Sequence, residues 1–155
     1  MSHDVESKLE AMGLTLPEAP APIASYVPAA RTGKLIFVSG QLPFAGGEVI
    51  AVGPVPSAVS AEAASEAARQ SLLNALAIVK AELGGDWSKL RRIVRLGVFV
   101  RSDDRFDGQS GVANGASDLL MKLFGEAGRH ARAAVGVNAL PKGAAVEVEL
   151  IVESA

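Results

Sequence analysis

The pattern of apolar and polar residues predicts a long amphipathic helix in the middle of the chain, over Ser60–Leu83. Apolar residues recur there at helical spacing, so that they share one face. They are Ala64, Ala68, Leu72, Ala75, Leu76, Val79 and Leu83. Ser60 suits the N-cap, Glu62 suits the positive end of the helix dipole, and Gly84-Gly85 suits the C-terminal end.

Shorter apolar runs predict strands and two further helices. We expect strands over Tyr26–Ala30, Lys34–Ser39, Leu90–Val100, Arg132–Asn138 and Ala144–Val152, and a short strand within Phe44–Val52. The helices are expected over Val5–Met12 and Asp103–Phe124, the second with Asp103-Asp104 as capping charge. The proline-rich stretch Leu16–Pro22 predicts an extended arm, because each proline fixes φ and restricts the residue before it.

This order of elements predicts an α+β fold with two helices on one face of a mixed sheet. The strands Leu35–Val38 and Arg132–Val137 are apolar on both sides, so the other sheet face also needs cover. We therefore expect a homo-oligomer in which another copy covers it. Along the chain we expect an N-terminal helix and arm over residues 1–25 and a single domain over residues 26–155.

Composition narrows the class of function. The 155 residues carry 17 acidic and 15 basic side chains, with a net charge of −2 and a pI of about 5.7, which argues against a nucleic-acid partner. The chain has no cysteine, so disulfides and thiolate nucleophiles are excluded, and His3 and His130 alone make a poor metal set. We therefore expect no metal site. With no apolar run near the roughly 18 residues of a membrane span and no signal peptide, we expect a cytoplasmic protein.

Four places put polar groups on otherwise apolar strands. They are Tyr26, Ser39-Gly40-Gln41, Arg132 and Glu147. An arginine at the head of a strand is most often a surface residue, and Glu147 with Glu149 is most often the solvated side of a strand. Spacing alone does not decide whether these residues form a functional site or lie on the surface.

Longer motifs make the pattern specific. Val38-Ser39-Gly40-Gln41-Leu42-Pro43, Ala68-Arg69-Gln70-Ser71-Leu72 with Asn74, Ala131–Val137, Leu140-Pro141-Lys142 and Val146–Glu149 stand in this order. Together with Val98-Phe99-Val100 they resemble the RidA/YjgF family of reactive-intermediate enamine/imine deaminases, also known as endoribonuclease L-PSP. The resemblance covers most of the chain from Tyr26 onward.

The resemblance implies a chorismate-mutase-like fold and a homotrimer whose sheets form an inner barrel, with active sites between subunits. It implies that Arg132 binds a substrate carboxylate, for which a planar guanidinium is suited, and that Glu147 holds the attacking water. By the same resemblance, the substrate-binding residues are Tyr26, Ser39, Gly40, Asn114 and Ala134.

The implied reaction is hydrolytic deamination of 2-aminoacrylate-like enamines and imines to 2-keto acids, the chemistry of a 2-iminobutanoate/2-iminopropanoate deaminase. An imine is already electrophilic, so the resemblance implies a reaction with no metal and no cofactor. The alternatives are an endoribonuclease and a non-catalytic trimer that binds a small metabolite. The stretch Phe106–Leu120 and the long arm before Tyr26 depart from the family pattern and indicate a divergent subfamily.

Overall fold

The computed structural model describes residues 4–21 and 24–155, which contain three α-helices, three short 3-10 helices and seven strands. The helices are α1 (Val5–Ala11), α2 (Ala61–Glu82) and α3 (Gln109–Phe124). The strands are β1 (Ala29–Thr32), β2 (Leu35–Gln41), β3 (Phe44–Ala45), β4 (Glu48–Val49), β5 (Leu90–Arg101), β6 (Ala131–Val137) and β7 (Val146–Ser154). The predicted α+β class is confirmed.

Five of the strands form one mixed sheet in the order β1-β2-β7-β5-β6, and β3 pairs with β4 in a separate hairpin. The pairs β1–β2, β2–β7 and β7–β5 are antiparallel, whereas β5 and β6 are parallel. The C-terminal strand is therefore central, and β1 and β6 are the two edges.

The helices cover one face of this sheet, as predicted. Along β7 every second residue is buried, with Val146, Val148 and Val152 at 0% exposure and Leu150 at 1%. Helix α2 packs on β7 and β2, and α3 packs on β5 and β6. The opposite face carries the other β7 side chains, and two of its apolar residues, Phe37 and Val135, are 41% and 44% exposed.

Helix α2 begins as its sequence predicts, because the Ser60 side chain accepts a hydrogen bond from the Ala63 amide at 3.1 Å. Its apolar stripe is buried against the sheet. Helix α3 crosses α2 at very short range: a Cβ on Gly115 would lie 2.0 Å from the Ser65 carbonyl oxygen. Glycine at this crossing lets α3 approach close enough to complete the layer.

Two of the predicted boundaries are wrong. The first strand starts at Ala29 rather than Tyr26, since Tyr26 lies in an irregular bend. The last helix starts at Gln109 rather than Asp103, and Gly108 is at its N-cap position. Asp103 does not cap the helix, because its carboxylate instead accepts a hydrogen bond from the Ser57 amide at 2.8 Å.

The N-terminal segment packs onto the helical layer. Val5 and Leu9 of α1 are 0% and 1% exposed, and the Lys8 ammonium donates to the Leu123 carbonyl at 2.8 Å. From position 14 to position 21 the chain has no helix or strand, in agreement with the predicted arm; Pro22 lies outside the described residues. This arm leads to Tyr26 and the first polar cluster.

Candidate functional site

Glu147 lies in β7 on the face that the helices leave open, because it stands between the buried residues Val146 and Val148. It borders a cavity of about 240 Å³. The lining residues are Pro20, Ala21, Ala24, Tyr26, Pro28, Gly40, Gln41, Leu42, Phe44, Pro141 and Glu147. Most of this wall is apolar, so the cavity presents one carboxylate in a largely apolar setting.

The Glu147 carboxylate is half-buried. Within residues 4–21 and 24–155 it has no hydrogen-bond or ion-pair partner. Burial raises its pKa above that of an ordinary glutamate, and the negative charge of Glu149 raises it further. A carboxylate that is partly desolvated and unpaired is a better proton acceptor than one exposed to water.

Gly40 makes room for this carboxylate. A Cβ at position 40 would lie 2.6 Å from Glu147 Oε1 and 2.9 Å from its carboxyl carbon. The register of β2 against β7 shifts between Val38 and Gln41, which brings this stretch of backbone to the Glu147 side chain. The glycine of the Ser39-Gly40-Gln41 motif is thus required by close packing.

Tyr26 and Ser39 have different surroundings. Tyr26 lines the Glu147 cavity and is 47% exposed. The Ser39 hydroxyl donates to the Val27 carbonyl at 2.7 Å, which ties the segment after the arm to β2. Ser39 borders a neighbouring depression beside Phe37 and Glu149 rather than the cavity itself.

Asn74 of α2 fixes another wall of the cavity. Its side-chain amide donates to the carbonyls of Leu42 and Phe44, both at 3.1 Å, and its oxygen accepts from Gln70 at 3.1 Å. Asn74 is 4% exposed, so these bonds satisfy a buried polar group. The asparagine of the helical motif therefore positions the loop between β2 and β3.

Arg132 lies in a second polar cluster, on the edge strand β6. Its Nη1 donates to Asn114 Oδ1 at 2.8 Å and to Ser117 Oγ at 3.1 Å. Both partners belong to α3, one turn apart on the same helix face. Ala134, two residues beyond Arg132, is on the same side of β6 and packs against the core.

The two clusters lie on opposite faces of the sheet. Arg132 pairs with Leu96, and Leu96 pairs with Leu150, both of which are buried under the helices. Glu147 pairs with Phe99 on the other side of the same strands. Since paired residues share a face, one copy of the chain does not bring the arginine and the glutamate together.

Sequence reasoning overlooked two members of the arginine cluster. Ser117 bonds both Arg132 and His130, with its Oγ 2.9 Å from His130 Nε2. The spacing of Asn114 and Ser117 was the available signal for Ser117, because residues three apart are neighbours on a helix. His130 carried no such signal, because its partner Ser117 lies on a different element.

Two further properties bear on function. Across residues 4–21 and 24–155, His, Asp and Glu side chains nowhere gather in a group of three that could hold a metal ion. In the same ranges, none of the helices combines the length and the apolar character needed to span a membrane.

Comparison with known proteins identifies the class. The family described as "YjgF/chorismate_mutase-like, putative endoribonuclease" matches residues 6–154. The chain therefore belongs to the YjgF/chorismate-mutase-like family, and the predicted resemblance is confirmed.

Individual relatives extend this result. The chain is 44% identical over 153 residues to protein TCP17 of Trypanosoma cruzi, covering 98% of this chain and 95% of that protein. It is 30% identical over 140 residues to a 2-iminobutanoate/2-iminopropanoate deaminase of Dermatophagoides farinae, covering 90% and 93%. A crystal structure of an Agrobacterium tumefaciens protein of unknown function superposes with a TM-score of 0.90 at 45% identity, covering 97% and 91%.

Proposed function

We propose that the chain hydrolyses small 2-imino acids to 2-keto acids and ammonia, with the substrate carboxylate on Arg132 and the attacking water on Glu147. The observation that carries this proposal is the half-buried Glu147 carboxylate with its raised pKa, which has no partner within the described ranges. The activity named for the Dermatophagoides farinae relative supports the same chemistry.

The reaction requires that substrate and water are positioned and that one group accepts and returns a proton. An enamine first takes a proton on its terminal carbon and becomes the protonated imine. Water then adds to the imine carbon while Glu147 accepts one water proton, which gives a neutral carbinolamine. Glu147 returns that proton to the nitrogen, and the carbon–nitrogen bond breaks so that ammonia leaves. Glu147 then takes the remaining hydroxyl proton as the carbonyl forms and releases it to solvent, which balances the proton taken up by the enamine.

Arg132 supplies the other requirement, a fixed positive group. Its Nη1 is occupied by Asn114 and Ser117, whereas Nε and Nη2 have no partner in the described part of the chain. These N–H groups lie in one plane and fit the two oxygens of a carboxylate. Asn114 thus holds the arginine, and Ala134 follows on the same side of the strand.

We further propose that the complete site forms between two copies in a homotrimer. Arg132 and Glu147 lie on opposite sheet faces, so a second copy is needed to supply the missing half. The exposed side chains of Phe37 and Val135 support this arrangement, since a partner would remove them from water. Tyr26, Gly40 and Ser39 would then belong to the glutamate half of each site.

The first test measures ammonia and 2-keto acid release when 2-aminoacrylate is generated in situ by a serine or cysteine lyase. We expect the wild-type chain to accelerate release above the spontaneous rate, and Arg132→Ala and Glu147→Gln each to abolish the acceleration. Full activity in either variant contradicts the assignment of that residue.

Mixing the two variants tests the intersubunit site. A site that takes Arg132 from one copy and Glu147 from another is intact only where an Arg132→Ala copy provides the glutamate and a Glu147→Gln copy provides the arginine. Random exchange of subunits in an equal mixture should restore about a quarter of the wild-type activity. A mixture that stays inactive after subunit exchange has been shown points to a site within one copy.

An endoribonuclease activity is the alternative contained in the family description. RNA binding depends on basic side chains along a phosphate track, and the net charge here is −2. Cleavage of RNA by highly purified protein, lost in Arg132→Ala, would support this activity. Tight binding of a small carboxylate without turnover would instead support a non-catalytic metabolite-binding trimer.

A further inference from the structure

Ser117 and His130 form a hydrogen-bonded chain that ends on Arg132. His130 Nδ1 is 2.6 Å from the Gly128 carbonyl oxygen, and His130 Nε2 is 2.9 Å from Ser117 Oγ. Ser117 Oγ is in turn 3.1 Å from Arg132 Nη1. The chain thus joins the turn after α3, the middle of α3 and the head of β6.

The chemistry of the donors fixes the direction of the two outer bonds of this chain. A carbonyl can only accept, so His130 Nδ1 carries a proton and donates it to Gly128. Arginine can only donate, so Ser117 Oγ accepts from Arg132. When His130 is neutral with its proton on Nδ1, its Nε2 is an acceptor, and the Ser117 hydroxyl donates to it.

The far end of this chain is anchored by close packing. Gly128 is buried, and a Cβ there would lie 2.3 Å from the Leu120 carbonyl oxygen of α3. The turn is therefore pressed onto the helix that carries Ser117, which limits the movement of the His130 acceptor. Rigid support of this kind keeps a binding group in its productive orientation.

We propose that Ser117 and His130 are positioning residues that hold the Arg132 guanidinium for a carboxylate ligand. Asn114 and Ser117 together use both protons of Nη1, which sets the plane of the guanidinium. His130 acts through Ser117, since its Nε2 accepts the hydrogen bond of the Ser117 hydroxyl and leaves the serine lone pairs for the arginine. This inference rests on the proposed role of Arg132 as carboxylate anchor.

A serine bonded to a histidine also resembles a nucleophile with its base. Here the serine oxygen accepts from Arg132, and Ser117 lies within α3, where backbone amides are bonded within the helix and cannot form an oxyanion hole. The positioning role is therefore the better account. A fluorophosphonate that labels Ser117 covalently, with the labelling lost in His130→Gln, would overturn it.

The main test uses pyruvate, a 2-keto acid product of the proposed reaction, as a probe in calorimetric titration. Ser117→Ala should weaken pyruvate binding about tenfold, since it removes one hydrogen bond to a charged group. It should raise KM by a similar factor and change kcat by less than about threefold. Ser110→Ala, in the exposed first turn of the same helix, is the matched control and should bind as the wild type does.

Histidine variants separate the proposed role from simple packing. His130→Phe keeps a ring but has no acceptor, so pyruvate binding should weaken several-fold. His130→Gln offers a carboxamide oxygen to Ser117 and should restore binding to within about twofold of wild type. Equal melting temperatures of the two variants would exclude loss of fold as the cause.

The same titrations distinguish the two proposals. If Arg132→Ala binds pyruvate as well as the wild type, or if the wild type does not bind it, the carboxylate anchor is wrong and this inference falls with it. If Arg132→Ala abolishes binding while Ser117→Ala and His130→Phe match the wild type, the anchor stands and the positioning role is refuted.

Discussion

Replacing Gly115 with alanine tests the packing that places the arginine cluster. Gly115 lies in the middle of α3, where that helix crosses α2. The added Cβ would lie 2.0 Å from the Ser65 carbonyl oxygen and 2.7 Å from its carbonyl carbon. Both are backbone atoms, so a change of rotamer cannot relieve the contact and the helices must move apart.

Two effects of opposite sign decide how much Gly115→Ala changes the free energy of unfolding. Alanine is favoured over glycine within a helix by about 1 kcal/mol. Overpacking a closely fitted interior costs about 1–3 kcal/mol, and a contact with rigid backbone belongs at the upper end of this range. We therefore expect a net loss of about 2 kcal/mol in the free energy of unfolding. At about 2–4 °C for each kcal/mol in a chain of this length, the melting temperature should fall by about 4–8 °C.

Thermal unfolding followed by circular dichroism, at one protein concentration, measures this change. Gly111→Ala is the matched control, because Gly111 is exposed in the same helix and a Cβ there meets nothing within 4 Å. That variant should melt at or above the wild-type temperature. Its free energy of unfolding should be higher by up to about 1 kcal/mol. A Gly115→Ala protein as stable as Gly111→Ala would refute the close crossing of α2 and α3.

Three further predictions concern the glutamate half of the site. Gly40→Ala should push the Glu147 carboxylate aside, since its Cβ would lie 2.6 Å from Oε1. We expect the deaminase activity to fall at least about tenfold with an unchanged melting temperature. A fully active variant would contradict the contact between position 40 and Glu147. Because burial and Glu149 raise the pKa of Glu147, its active ionised form is lost at a higher pH than for an ordinary carboxyl group, so kcat/KM should decrease as pH falls through that raised pKa. Glu149→Gln should shift this decrease to lower pH, and an unshifted pH profile would argue against Glu147 as the base. Asn74→Ala should reduce the free energy of unfolding by about 1–3 kcal/mol, because the buried Leu42 carbonyl and the part-buried Phe44 carbonyl lose their donor. Ser71→Ala in the same helix should be neutral or stabilising, since the buried Ser71 hydroxyl has no partner within the described ranges. Denaturant unfolding of the two variants distinguishes these outcomes.

The elements that could be predicted are those whose signal is local. The buried stripe of α2 and its Ser60 cap follow from residues within one or two turns of each other. The alternation in β7 likewise predicts which side chains face the core. The start of α3 could not be predicted in this way, because the partner of Asp103 is the Ser57 amide, in the loop that precedes α2 in the chain.

The residue types of the site were also accessible from motifs, whereas the roles of those residues stay predictions. The sequence motif contains Gly40, but the reason why a glycine is required there is visible only where β2 packs on the Glu147 side chain. The structural role of Asn74 in the α2 motif is likewise visible only where its side chain donates to the carbonyls of Leu42 and Phe44.

The sequence by itself determined the class of fold, the long helix, the alternating last strand and the family to which Arg132 and Glu147 point. Tertiary structure alone decided that these two residues lie on opposite faces of the sheet and that Ser117 bonds both Arg132 and His130. The physical reason is that side-chain periodicity sets which residues share a face of one strand or helix. Which of those faces then meet depends on strand pairing and on the helix crossing at Gly115, which join residues far apart in the chain.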